Sequence, residues 1–175
     1  YNCTGLSSMT YPVGWTTTPD YSQNSTTDYK DSNTNYISPF AGCTSLTSVT
    51  VPEGVTMIPK HAFQGCTGLK TVVFPDSLME VHVYAFYGCT GLTGINLPDG
   101  LDTINSYAFD GCNRLTDVDL PDGLDAINSY AFYGCTGLKT AALPSGLTTL
   151  ESYAYSDCTG LISVTVPSTI SVLDS

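Results

Sequence analysis

The cysteines of this 175-residue chain fall at Cys3, Cys43, Cys66, Cys89, Cys112, Cys135 and Cys158. The last six are spaced 23 residues apart, and the first interval is 40, or 23 plus 17. A fixed period of this size marks a solenoid, in which no unit can bury its apolar face except against its neighbours. Counted from the cysteine, position 4 of every unit is leucine (Leu6, Leu46, Leu69, Leu92, Leu115, Leu138, Leu161). Position 10 is always proline (Pro12, Pro52, Pro75, Pro98, Pro121, Pro144, Pro167). Positions 7 and 9 are mostly apolar, as in Val118 and Leu120, with a variable and usually small or polar residue between them. That alternation is the pattern of a strand with one buried face. Proline has no N–H to give a ladder, so each strand must end there.

A second apolar pair follows at positions 13 and 16, such as Leu101 and Ile104, and then alanine with an aromatic residue at 20 and 21. Too few residues separate proline from the next cysteine for a long helix, so the return path is expected to be extended or 3-10, in short pieces. The expected architecture is a repeat solenoid with one parallel sheet, whose strands carry residues such as Val72–Phe74 and Val118–Leu120.

These columns closely resemble the BspA-like leucine-rich repeats. That family's unit runs Leu-x-x-Ile-x-Leu-Pro, then Leu-x-x-Ile, then Ala-Phe, then Cys or Asn, and the match holds in phase over seven units. The resemblance implies the leucine-rich-repeat superfold: a curved, right-handed coil with a parallel sheet on its concave face and little or no long helix. It also implies a large secreted or cell-surface protein of a host-associated microbe, engaged in adhesion to host proteins or other microbes.

Residues 1–175 read as a single domain interrupted once. Residues 16–38 are rich in Thr, Ser, Asn, Asp and Tyr and carry neither helical nor strand period. They are an insertion at a repeat junction: either a tolerated surface loop, or a binding loop whose Tyr21, Tyr29 and Tyr36 are amphipathic contact residues. Asn2-Cys3-Thr4 and Asn24-Ser25-Thr26 are glycosylation sequons, meaningful only after secretion through a eukaryotic pathway. Both ends are cut in mid-pattern without polar caps, which leads us to expect a piece of a longer protein and allows end-to-end self-association.

Composition narrows the partners. Asp and Glu number 16 against 5 Lys and Arg, a net charge of −11, which argues against nucleic acid or anionic lipid as the main partner. No apolar run approaches the length of a membrane span, so this segment is not expected to insert in a bilayer. Catalysis has no support. His61 and His82 occupy different columns, no Ser-His-Asp or Cys-His set would converge, and no glycine-rich loop opens a helix. No C-x-x-C or Cys-His zinc spacing occurs, so no metal or cofactor is expected. An odd cysteine count excludes complete pairing, and the cysteines read as a buried ladder of thiols.

Two features remain as candidate contacts. Asp117 and Asp119 flank Val118 on one strand, so both carboxylates face outward, with Asn96 of the preceding coil beside them. A basic group or cation could bridge them, and a solvated acidic face is the plainer alternative. Asp99, Asp102, Asp122 and Asp125 form a second acidic strip after the prolines. Tyr84, Tyr107, Tyr130 and Tyr153 form a column at position 19, joined by Tyr87 and Tyr133 at position 22. This row is either a carbohydrate or protein contact strip, or a set of rings that each cover the neighbouring coil. The expected function is a non-catalytic extracellular module binding a protein or glycan, with a structural spacer as the alternative. The outward row at position 8 (Thr10, Thr50, Val73, Asn96, Asp119, Ala142, Thr165) is mostly small, without the large aromatic or Arg anchors of a dedicated site.

Overall fold

The computed structural model describes residues 3, 5–12, 40–170 and 172–173. The insertion at 16–38, with Tyr21, Tyr29 and Tyr36, lies outside the described residues. Thirteen short strands follow one another: β1 Ser8–Thr10, β2 Ser48–Thr50, β3 Met57–Ile58, β4 Thr71–Val73, β5 Glu80–Val81, β6 Gly94–Asn96 and β7 Thr103–Ile104. Then come β8 Asp117–Asp119, β9 Ala126–Ile127, β10 Thr140–Ala142, β11 Thr149–Leu150, β12 Ser163–Thr165 and β13 Val172–Leu173. Among the described residues there is no helix. All pairing is parallel and follows the repeat: Ser48 pairs with Thr71 and Gly94 with Asp117. The 40-residue interval keeps the same register, with Ser8 opposite Ser48.

Two strand rows result where the sequence suggested one. The first, at positions 6 to 8, divides into β1-β2-β4, β6-β8 and β10-β12. The second, at positions 15 and 16, is an unbroken six-stranded sheet, β3-β5-β7-β9-β11-β13. The strands of the first row also begin and end one residue earlier than the apolar pattern implied. Position 9 still donates its N–H to the next coil, as Val51 does to the Val73 carbonyl (2.9 Å). Its carbonyl points the same way and would need the N–H of position 10, which is proline, so the ladder stops.

The return segment obeys a simple alternation. Positions 19, 21 and 23 donate to the next coil: His61 to Val83, Phe63 to Ala85 and Gly65 to Tyr87, at 3.1, 2.8 and 2.7 Å. The residues between them donate within their own coil, three back: Ala62 to Pro59, Gln64 to His61 and Cys66 to Phe63. The expected 3-10 pieces are therefore isolated turns, tied to the next coil at every second residue.

The columns converge on one core. Leu46, Leu69, Leu92, Leu115 and Leu138 are fully buried, as are Val55, Leu78, Leu101, Leu124 and Leu147 at position 13. Phe40, Phe63, Phe86, Phe109, Phe132 and Tyr155 stack face to face through the middle, at centroid steps of 5.1–5.8 Å. Beside them runs the cysteine column. The Cys66, Cys89, Cys112, Cys135 and Cys158 thiols each donate to the carbonyl 26 residues earlier, at 2.9–3.3 Å. Burial pushes the Cys66 thiol up to about 12 and those of Cys89 and Cys112 well above the usual range.

Two outcomes follow from this packing. Leu115→Ala opens a cavity in a fully buried ladder and should lower unfolding stability by about 2–5 kcal/mol, measured by urea titration. Since only the thiolate is nucleophilic, Cys89, Cys112 and Cys135 should resist a thiol reagent at pH 8 in the folded protein. They should react promptly in urea, and fast labelling without urea would contradict the buried column.

Candidate functional site

Two surfaces carry the polar and aromatic residues that the core does not use. The first lies on the strands at positions 6 to 8. Asp117 and Asp119 are exposed on either side of the half-buried Val118. Asn96 pairs directly opposite Asp119, while Asp117 faces Gly94. Asn96 and Asp119 continue into an open depression of about 500 Å³ that is also lined by Asp76, Asp99, Asp122, Leu97, Pro98, Leu120 and Pro121. Asp117 is not part of that lining.

The structure therefore splits the acidic strip read from the sequence. Asp99 and Asp122 join the depression, together with Asp76 from the same column at position 11. Asp102 and Asp125 instead accept hydrogen bonds from Thr103 (3.1 Å) and Thr148 (2.6 Å). Asp76 was missed, although the 23-residue period that aligns it with Asp99 and Asp122 was a sufficient signal. Carboxylates one coil apart make a negative trough, because strands stack at about 4.7–4.9 Å. Among the described residues no group of three or more His, Cys, Asp or Glu converges as metal ligands do.

The second surface is the column at position 19. His61, Tyr84, Tyr107, Tyr130 and Tyr153 form a continuous face-to-face stack with centroid steps of 5.0, 4.8, 4.7 and 4.9 Å. His61 is thus a stack member, its Nδ1 within 2.6 Å of Gln64 Oε1. The stacked faces cover one another, which leaves mostly edges and hydroxyls to a partner. A carbohydrate platform, which needs open ring faces, does not match this arrangement.

All five residues stand in the left-handed region, with φ between 59° and 62°. For bulky side chains that conformation costs about 1–3 kcal/mol each. A stacked ring pair returns about 0.5–1.5 kcal/mol beyond its buried area. The two are of similar size, so stacking does little more than offset the strain. At position 23 the same backbone sign falls on Gly42, Gly65, Gly88, Gly111 and Gly134, where it costs little.

Asp110 lies beside this stack, half-buried. Desolvation raises its carboxyl to about 6. Burial, then the charges of Tyr130 and Asp110, raise the Tyr107 hydroxyl. Tyr133 is raised chiefly by its hydrogen bond to Asp157, with Asp110 a lesser cause.

The family model for the BspA type leucine-rich repeat region matches in six copies, over residues 1–89 and 36–161. The chain belongs to the BspA-type leucine-rich repeat family. Among solved structures, a leucine-rich repeat protein of T. pallidum is 38% identical, with a TM-score of 0.72 over 74% of this chain and 61% of its own. One from Eubacterium ventriosum is 32% identical, with a TM-score of 0.67 over 77% of this chain and 36% of its own. One from Bacteroides ovatus is 28% identical, with a TM-score of 0.58 over 78% and 42%. This BspA-type chain thus spans less than two thirds of each of them. No curated protein matches it.

The Asp110 shift fixes a pH dependence. The folded state holds this proton more tightly than the unfolded one, so stability should fall as pH rises from about 4 to about 6. The loss should be on the order of 1 kcal/mol, allowing for the solvent that screens a half-buried group. Asp110→Asn should flatten that part of the stability profile in thermal melts between pH 4 and 7, and an unchanged slope would assign it elsewhere.

Proposed function

We propose that this chain is a non-catalytic recognition module, displayed outside the cell, that binds a protein or glycan through the face carrying Asp117, Asp119 and Asn96. What supports the reading is the continuous acidic path from that strand pair into the trough of Asp76, Asp99 and Asp122. Leucine-rich repeats present their strand face as an array of outward side chains on a stiff frame, which suits contact and not chemistry. Membership of the BspA-type family is what supports extracellular display. The inserted tyrosines Tyr21, Tyr29 and Tyr36 are a further contact element of the same proposal.

A partner for this face presents basic or polar groups. Exposed charges act over about 8–10 Å before salt screens them, so they mainly speed encounter. Changing both Asp117 and Asp119 to Asn should leave the fold intact, since both are exposed. It should slow association with a partner found by screening host proteins and glycans, and flatten its salt dependence. An unchanged rate and salt slope would reduce the pair to a solvated surface.

A further inference from the structure

Three Asp-Gly pairs occur in the chain: Asp99-Gly100, Asp110-Gly111 and Asp122-Gly123. In such a pair the aspartyl carboxyl meets the following main-chain nitrogen with least hindrance, because glycine has no Cβ. The fold treats the three differently. Asp99 and Asp122 stand at position 11, in exposed turns. Each turn is closed by one hydrogen bond, from Leu101 N–H to the Pro98 carbonyl and from Leu124 N–H to the Pro121 carbonyl, both at 3.0 Å. Asp110 stands at position 22, in the return segment.

Earlier turns of the same column are pinned to the neighbouring coil. Gly54 N–H donates to Ser77 Oγ at 2.9 Å, and Asp76 N–H to Glu53 Oε1 at 3.2 Å. The residue that would pin Gly100 in the same way is Gly123, which has no hydroxyl. Crowding favours glycine there, since a Cβ on Gly123 would lie 2.7 Å from the Asp99 carbonyl oxygen. Among the described residues, nothing hydrogen-bonds the Asp99 carbonyl or Gly100 N–H, nor the Asp122 carbonyl or Gly123 N–H. The Asp110-Gly111 peptide is held on both sides. Gly88 donates to its carbonyl, and its own N–H donates to the Tyr133 carbonyl, both at 2.8 Å. It also runs between the fully buried Phe109 and Cys112, so turning it opens the core.

We infer that Asp99 and Asp122 are sites of spontaneous isomerisation to isoaspartate, and that the fold protects Asp110 from the same reaction. The glycine nitrogen gives up its proton and attacks the carbon of the protonated side-chain carboxyl. A C–N bond forms, the C–OH bond breaks, and water leaves as a succinimide ring closes. Water then adds back to the ring. Opening at the side-chain carbonyl restores aspartate, while opening at the main-chain carbonyl routes the chain through the former side chain. No oxidant or cofactor is needed. The product keeps its charge but has one more methylene in the main chain, at a step already crowded by the next coil. Asp99 and Asp122 line the acidic depression, so its shape would change as the protein ages. None of this depends on what that face binds.

Two effects compete at Asp110. Burial raises its carboxyl to about 6, which favours the acid form that ring closure consumes. Its bonded backbone opposes closure, because the carboxyl reaches the nitrogen only after the peptide turns. Rotation is the gate, since more acid does not help a carboxyl that is held away.

The full chain is held for weeks in neutral buffer, digested under mildly acidic conditions and mapped by electron-transfer fragmentation, which distinguishes isoaspartate from aspartate. Isoaspartate should accumulate at residues 99 and 122. At residue 110 it should be lower by about tenfold or more, the worth of two backbone hydrogen bonds. In urea, where no turn survives, the three sites should react alike. Asp99→Ser combined with Asp122→Ser places there the residue that Ser145 already supplies in this column. That variant should melt as the parent does and show no isoaspartate at either position. Equal or leading isoaspartate at Asp110 in the folded chain would mean that the acid form governs, and would overturn the inference. So would its absence at residues 99 and 122 in the folded chain while the urea sample forms it.

Discussion

Alternate N–H groups of the return segment point in two directions, and the rest of the molecule follows from that. Phe86 and Gly88 reach forward to Ala108 and Asp110 at 2.8 Å, while Ala85, Tyr87 and Cys89 turn back to carbonyls three residues earlier at 3.1–3.2 Å. Backbone groups buried without partners are costly, and here every second donor is satisfied only by the next coil. The coil is thereby locked in one register, with side chains of like position directly above one another. Columns of leucine, phenylalanine and cysteine are the consequence, since a side chain that fits one coil meets its own copy in the next.

Close stacking also explains the small residues. A Cβ on Gly137 would lie 2.8 Å from the Asn113 carbonyl of the coil before, closer than real Cβ atoms approach. Cysteine is the other case. Its thiol is small enough for the column and donates along it, as Cys112 does to Phe86 at 3.3 Å. A serine there would be more costly to desolvate, and a larger aliphatic residue would overfill the space.

The period, the Leu and Pro columns and the buried Ala-Phe pair were legible in the sequence because each is a core demand repeated in every unit. The second sheet was not, because Glu80–Val81 or Ala126–Ile127 is only two residues long and shows no alternation. Its strands exist because the register of the coils aligns them. Nor could the strand bounds be read from Val118 and Leu120 alone. Burial marks which side chains face inward, whereas the ladder ends where proline removes a donor. At the surface, Asp117, Asp119 and Asn96 came together as the alternation required. The partial burial of Asp110 left no signal, because position 22 varies from Gln64 to Tyr87 to Ser156 and has no column signature.

The two surfaces differ in the physics they can apply to a partner. Asp117, Asp119 and the trough beyond them are solvated, so their charges act at a distance and lose strength with salt. They attract any basic surface and discriminate little among such surfaces. Asp110 is half-buried beside the tyrosine column, so its charge is less well solvated than those of the strand face. A chain with net charge −11 needs no further help to attract cations. What it lacks, on a strand face of mostly small residues, is a means of choosing one basic side chain over another. The tyrosine column, held in place by the same coil-to-coil bonds that build the core, presents mostly ring edges and hydroxyls, which act only at contact distance.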